Sequence, residues 1–570
     1  MRALLRPCKK EKPSCFVNFT ETKLHCPLLP CRFENLSKKT TFTFTDCRHV
    51  ENDIIQIIKS LQKIDVHLLV KNILFYSEEN PLLFTQLYFW GFFAVVLLLY
   101  GFFYKKIFLR NLYLFLVSLF FYYKTSGIFL LLLLFTILIS YLTGFAVARA
   151  KRQGWRKCWL SAGVVLTLSL LGYYKYTYML VSWINHVAGT SFEVKNILGE
   201  LSNDLLGSHF DIDRIFLPVG ISFFTFQAIS YMVDVYQKKL GPVKHFSDYG
   251  FYIAFFPQLV AGPIVRAAEF IPQMYRPYRL SREEAGYGIY MILKGLLKKI
   301  IFADYVAVNL VDRVFDNPLA YSGFENYLAL LGYSLQVYAD FSGYTDIAIG
   351  TAQLMGFKIP TNFNSPYKAL NVGEFWKRWH ISLSNWLKDY LYIPLGGNRK
   401  GRLRTDINLM ITMLLGGLWH GADAKFVLWG GLNGIAIVVY KLWRKISFYE
   451  HSRHPLVTVW KITLTFSFIT FTRIFFRSAD MDIAGAMLEQ LGKGIEWTLV
   501  PDILFSYRYV LVVMLTGYIL HWIPSSTKEF FRGAFINLHW SAQLIVVCVT
   551  ILCAYQFVTA EMQPFIYFQF

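Results

Sequence analysis

Charged residues make up only 16% of this 570-residue chain against 55% hydrophobic and 18% aromatic, and acidic residues are the scarcer sign, 37 against 57 Lys and Arg. A chain this poor in charge cannot cover itself for water, which excludes a soluble globular protein and makes the bilayer its solvent. The strict apolar–polar alternation of a membrane β-barrel is also missing, so helices must do the spanning. There is no Walker loop, no Gly-x-Gly-x-x-Gly opening a helix, no His-Glu-x-x-His and no Gly-x-Ser-x-Gly. Nucleotide turnover and hydrolysis are thereby disfavoured. Cysteine is sparse beyond residue 69: Cys158, Cys548 and Cys553 lie in apolar segments and read as buried small hydrophobes without a redox function or a metal-ligand spacing.

What is abundant is the apolar run. Leu83 to Tyr104, Ile128 to Ala148 and Trp159 to Tyr174 approach or reach the roughly 20 residues that a hydrocarbon core demands. Further runs centre near 219–233, 249–260, 287–302, 327–352, 407–419, 426–443, 457–476, 509–522 and 542–554. The expectation is an all-α, polytopic membrane helical bundle of about eleven spanning helices, supplemented by re-entrant and interfacial helices. Breaks at Leu217-Pro-Val-Gly and Ala261-Gly-Pro suggest buried or re-entrant segments lining a cavity. The formal net charge of +20 sits in loops between the runs and therefore reads as membrane topology, with no nucleic acid implied. Lys105, Lys106 and Arg110 follow the run that ends at Tyr104, and Arg149, Lys151, Arg152, Arg156 and Lys157 follow the run that ends at Ala148. Both loops are expected on the cytoplasmic side.

Residues 1–69 depart from this pattern: they are polar, basic, and hold Cys8, Cys15, Cys26, Cys31 and Cys47 in no recognisable ligand spacing. They read as a disordered or non-native leader, with the mature chain expected to begin near Val70 and a single transmembrane domain occupying 70–570. Asn18-Phe-Thr and Asn35-Leu-Ser in the leader fit the glycosylation pattern, which recurs by chance.

Chemistry concentrates between Pro360 and Ala422. His420 closes the run Asn408-Leu-Met-Ile-Thr-Met-Leu-Leu-Gly-Gly-Leu-Trp-His-Gly, inside or at the edge of the bilayer. A charged side chain there costs about 2 kcal/mol or more, so an intramembrane ionisable group is a functional candidate, although a helix-to-helix hydrogen bond would also account for it. A second histidine, His380, lies in Glu374-Phe-Trp-Lys-Arg-Trp-His-Ile-Ser-Leu-Ser. Large apolar residues from Phe375 to Leu391 recur at helical spacing and predict one amphipathic, tryptophan-rich interfacial helix, with His380 bordering its apolar stripe and Ser384 one turn on. Arg399, Lys400, Arg402 and Arg404 then form a cationic turn that suits a polyanion, a positive-inside loop or anionic lipid. Asp340 and Asp346 are intramembrane carboxylates that either orient a histidine or pair with Lys or Arg.

Taken together, Phe216-Leu-Pro-Val-Gly-Ile-Ser-Phe-Phe-Thr-Phe-Gln, Phe256-Pro-Gln-Leu-Val-Ala-Gly-Pro-Ile, Asp340-Phe-Ser-Gly-Tyr-Thr-Asp, Trp376-Lys-Arg-Trp-His-Ile-Ser-Leu-Ser, Tyr392-Ile-Pro-Leu-Gly-Gly-Asn-Arg, Leu418-Trp-His-Gly-Ala and Phe565-Ile-Tyr-Phe-Gln-Phe resemble the membrane-bound O-acyltransferase (MBOAT) family. The resemblance is to its bacterial alginate O-acetyltransferase branch, from about Asn72 onward. It implies the MBOAT fold, a multi-pass protein of the bacterial inner membrane, and His420 and His380 as the functional pair, with Trp419 beside them. It implies a donor that is acetyl-coenzyme A or another cytoplasmic acetyl thioester, and no bound cofactor or metal.

The expected reaction moves an acetyl group towards hydroxyls of an extracellular, alginate-like polysaccharide. His420, neutral at working pH, would be general base, His380 would hold or polarise the reacting groups, and the Arg399–Arg404 loop would meet the donor's phosphates. No separate soluble catalytic domain follows, so a periplasmic acetyltransferase partner is expected. The alternatives are D-alanyl transfer from a carrier protein to a cell-wall polymer and, from another class, a transporter that uses the broken helices and Asp340 and Asp346.

Overall fold

A computed structural model of the chain describes residues 82–206 and 211–557. The leader, the expected start near Val70 and the Phe565–Phe570 motif lie outside the described residues. Within them every element is helical: α1 (Leu87–Phe103), α2 (Ile107–Ser126), α3 (Leu130–Arg149), α4 (Gln153–Ala188), α5 (Ile197–Leu206), α6 (Ile221–Tyr236), α7 (Phe246–Ala254), α8 (Phe256–Leu259), α9 (Arg282–Leu297), α10 (Gly323–Leu354), α11 (Val372–Arg378), α12 (Ile381–Leu387), α13 (Arg402–His420), α14 (Ala424–Ile446), α15 (Pro455–Arg477), α16 (Arg508–Trp522), α17 (Ser525–Asn537) and α18 (Trp540–Gln556), with shorter connecting helices between. Four stretches are long and apolar enough to cross a membrane: Ile107–Arg149, Gln153–Ala188, Ala424–Ile446 and Pro455–Arg477. The first breaks at Gly127, φ 57°, into α2 and α3, each with the length for one crossing. Val500–Ser506 and α16 form a fifth stretch bent by 81°. The remaining apolar runs fall on helices that are shorter, interrupted or covered by protein. The break at Ala261-Gly-Pro behaves in this way: residues 251–265, running from α7 through α8 to Val265, are buried throughout, and their backbone is kept from lipid by neighbouring helices, whereas at Leu217-Pro-Val-Gly the Leu217 side chain is exposed and residues 217–220 line a small cavity.

Local signals explain the helix starts. Ser281 with Glu284 and Ser322 with Glu325 form reciprocal capping boxes at the N-termini of α9 and α10. These two helices pack closely because glycines face each other: a Cβ on Gly295 would lie 2.5 Å from the Gly343 carbonyl oxygen, and one on Gly350 would lie 2.5 Å from that of Gly288. At that separation short ion pairs form across the crossing. Lys299 bonds Asp340 at 2.6 Å and Asp304 at 2.7 Å, while Asp346 takes Lys298 at 2.7 Å and Lys294 at 3.1 Å. Of the two readings of Asp340 and Asp346, pairing with lysine is the one found.

Two expectations are corrected. The stretch Phe375 to Leu391 is not one helix: α11 stops at Arg378, Trp379 is extended, His380 adopts left-handed backbone (φ 44°, ψ 55°), and α12 starts at Ile381 before a wider π-helical turn, Lys388–Tyr392. Its tryptophans Trp379 and Trp386 are buried in protein. The periodic stripe is present, but hydrogen bonds to the segment 362–364 divide the backbone beneath it. Cys158, Cys548 and Cys553 are exposed rather than buried, because they lie on faces of apolar helices directed away from the protein core.

Candidate active site

His420 is the last residue of α13, and its place is fixed by how tightly α13 and α14 turn on each other. A Cβ on Gly417 would lie 2.2 Å from the Phe426 carbonyl oxygen, and one on Gly421 would lie 2.0 Å from the Phe426 ring. Only glycine admits this hairpin, and Asp423 caps α14 by accepting from the Lys425 N–H at 2.9 Å. His420 is thereby sealed, 4% exposed, among aromatic rings: Trp419 at 4.9 Å, Trp429 at 5.1 Å and Phe476 at 5.1 Å between centroids.

His380 is positioned by the break between α11 and α12. Asn362 Oδ1 accepts from the Ser382 N–H at 3.0 Å and from the Ser382 hydroxyl at 2.9 Å, and lies 3.2 Å from His380 Nδ1. Its backbone carbonyl takes the Ile381 N–H at 3.0 Å. Because a backbone N–H already donates to Oδ1, that atom is the amide's acceptor, which assigns the proton to Nδ1 of His380 and the lone pair to Nε2. The imidazole is 1% exposed and packs edge-on against Phe341 at 4.7 Å.

Trp419 joins the two histidines, its ring 5.9 Å from that of His380 and 4.9 Å from that of His420, with Phe223 of α6 touching both Trp419 and His380. Three cavities approach this group, one of them a narrow space of about 20 Å³ lined by His420, Trp429 and Phe476. A small one, about 40 Å³, is lined by His420, Trp419, Lys175 and residues 217–223. A larger one, about 540 Å³, reaches Asn362, the residue that holds His380. Four cations line the larger cavity, Lys294, Lys298, Lys528 and Arg532, against two carboxylates, Asp346 and Glu529. His521 also faces it, 3% exposed, edge-on to Tyr338 and tilted against Tyr367, with no hydrogen-bond partner for either ring nitrogen among the described residues. Such a volume and a convergent polar lining suit a small-molecule site. Among the described residues no cluster of His, Cys, Asp or Glu could hold a metal ion.

The structure therefore unites His380, His420 and Trp419 and places Asp346 in the wall of the larger cavity. Asp340 is tied to Lys299. Ser384 is peripheral, its hydroxyl 3.5 Å from the Trp379 carbonyl, whereas Ser382, two residues earlier, is the serine bonded into the site. Arg399 and Lys400 in the turn before α13, and Arg402 and Arg404 in its first turn, are exposed and line none of these cavities. Sequence reasoning missed Asn362, Ser382, His521 and the cavity cations, which lie on segments far apart in the chain. It also missed Lys175, although a lysine within an apolar run is itself a signal; the expected run stopped one residue short, at Tyr174.

Comparison with known proteins identifies the family. The model of the MBOAT, membrane-bound O-acyltransferase family matches residues 240–477. The chain is 37% identical over 440 residues to the peptidoglycan O-acetyltransferase of Helicobacter pylori, covering 71% of this chain and 78% of that protein. It is 33% identical over 481 residues to the probable alginate O-acetylase AlgI of Pseudomonas putida, covering 81% and 94% respectively. Identity to the teichoic acid D-alanyltransferase of Bacillus subtilis is 28% over 270 residues, covering 44% and 67%. With a polytopic helical bundle, a buried histidine pair and relatives aligned along most of their length, the chain belongs to the membrane-bound O-acyltransferase family and is a membrane O-acyltransferase.

Proposed function

We propose that this enzyme transfers an acetyl group from a cytoplasmic thioester towards hydroxyls of an extracellular glycan, with His420 as general base. The observation that carries the reading is the His380–Trp419–His420 group, with a small cavity against Trp419 and His420 and a larger one that reaches Asn362, the residue beside His380 Nδ1. With the loops at Lys105–Lys106 and Lys151–Arg152 on the cytoplasmic side, Lys175 lies 22 residues up α4, about 33 Å from that side at the usual helical rise. His420, bonded to Lys175 through its carbonyl, then sits towards the outer face with the small cavity, and the larger cavity is its counterpart on the inner side. The bilayer in question is the bacterial inner membrane.

The donor's phosphates enter the larger cavity, where positive charge exceeds negative by two groups and His521 offers its ring nitrogens. The exposed Arg399–Arg404 turn makes a first contact with the same anion, or with anionic headgroups. His380 presents the lone pair of Nε2 to the reacting groups, and His420 takes the proton of the attacking hydroxyl. As the new C–O bond forms, the C–S bond of the thioester breaks and the thiol leaves with a proton. Aromatic walls exclude water from the activated carbonyl, and the fixed rings supply proximity. Where the glycan cannot reach so far inward, a hydroxyl on a periplasmic partner receives the acetyl group first and passes it on.

The test compares cells that lack the native gene and carry either the wild-type protein or His420→Ala, at membrane levels matched by immunoblot. Acetyl ester on the extracellular glycan is expected to vanish only with the variant; normal acetylation would overturn the reading and reopen a transporter. A second reading, D-alanyl transfer from a carrier protein, draws on the Bacillus subtilis relative. Mild alkaline release separates the two, since it yields acetate in one case and alanine in the other. The higher identity to acetylating relatives favours acetate.

A further inference from the structure

Three hydrogen bonds join α4 to the C-terminal end of α13. Lys175 Nζ donates to the carbonyls of Trp419 at 2.5 Å and His420 at 3.2 Å, and the neighbouring Tyr176 hydroxyl donates to that of Leu418 at 2.9 Å. The Lys175 ammonium also stands 5.8 Å from the centre of the Trp419 ring. The last carbonyls of a helix have no partner within it and carry the negative end of the helix dipole, so they need donors from elsewhere, and a cation serves best. A serine or threonine would satisfy a carbonyl at far lower cost than a lysine in an apolar, 36-residue helix. Lys425 repeats the arrangement at the end of α15, donating to the carbonyls of Ser478 at 2.6 Å and Ala479 at 2.7 Å, just beyond Phe476, which walls His420.

We infer that Lys175 and Tyr176 are positioning residues that cap the helix ending in His420 and hold its imidazole at the reacting centre. The inference rests on the assignment of His420 under Proposed function. With these bonds removed, the terminal turn of α13 is free to unwind towards Gly421, which already has extended backbone. Misplacement by about 1 Å costs an enzyme on the order of 100-fold in rate, so small shifts at this terminus are sufficient.

The experiment uses full-length protein in cells, with acetyl ester on the extracellular glycan normalised to membrane level, and thermal unfolding of each purified variant. Lys175→Met is expected to lose at least about 10-fold of the ester per molecule, and Lys175→Arg, which keeps a cation and donors, to regain most of it. Lys461→Met is the control: Lys461, a lysine buried more deeply than the half-buried Lys175, bonds the Glu450 carbonyl at the other end of α15. Ester at the wild-type level in Lys175→Met overturns the inference, and so do losses in Lys175→Met and Lys461→Met that simply follow their unfolding temperatures. If Lys175→Met fails to reach the membrane, Tyr176→Phe decides: a several-fold loss at normal level supports the inference, and an unchanged ester overturns it. His420→Ala in the same series separates the failures, because normal acetylation there rejects the histidine assignment itself.

Discussion

His380 is a non-glycine residue in left-handed backbone, a conformation that costs on the order of 1–3 kcal/mol and persists only where neighbours enforce it. Asn362 is the enforcer, since one side-chain oxygen receives the Ser382 N–H, the Ser382 hydroxyl and His380 Nδ1. Replacing it by leucine keeps the volume but strands those donors, at about 1–3 kcal/mol for each buried group left unsatisfied. Asn362→Leu is therefore expected to lower the unfolding temperature in detergent and to reduce acetyl ester at least as far as its loss of folded protein. Gly421→Ala pushes a methyl group into the Phe426 ring and should destabilise the α13–α14 turn; Phe426→Leu in the same chain should restore part of the unfolding temperature. Both histidines and Trp419 were readable from their motifs. Asn362 was not, because an asparagine 18 residues before His380 in a loop has no local signature.

At the scale of elements, the close crossing of α9 and α10 is a consequence of two glycine pairs, and the crossing in turn lets three lysines meet three aspartates within protein. Removing one partner from a buried ion pair costs about 3–5 kcal/mol, because the other charge is left without compensation. Lys299→Met should thus unfold at markedly lower temperature, and neutralising Asp304 and Asp340 to asparagine alongside it should recover much of the loss. Gly343→Val would separate the helices themselves and should lower stability even though every charge remains. The apolar stripe from Phe375 to Leu391 shows the limit of periodicity at this scale: spacing reports which side chains face the core, and it is blind to a break imposed by hydrogen bonds from another segment.

For the whole molecule, the proposed reading puts the loops rich in Lys and Arg on the inner side, which fixes the side from which each cavity is reached. On a cysteine-free background, Thr190→Cys beyond α4 should react with a membrane-impermeant maleimide in intact spheroplasts, and Lys151→Cys only after the membrane is opened; the reverse labelling would invert the donor and acceptor sides. Lys528→Glu should weaken use of an acetyl thioester by vesicles several-fold, while Arg402→Gln in the exposed turn should do so less. By itself the sequence determined the solvent, the helical class, the two histidines and the family, because hydropathy and contiguous motifs are local properties of a chain. Only the tertiary structure decided which lysine each buried aspartate meets, that His380 stands in a break, that Lys175 holds the end of α13, and where the larger cavity lies. Each of these joins residues from distant segments, and their proximity exists only once the helices have packed.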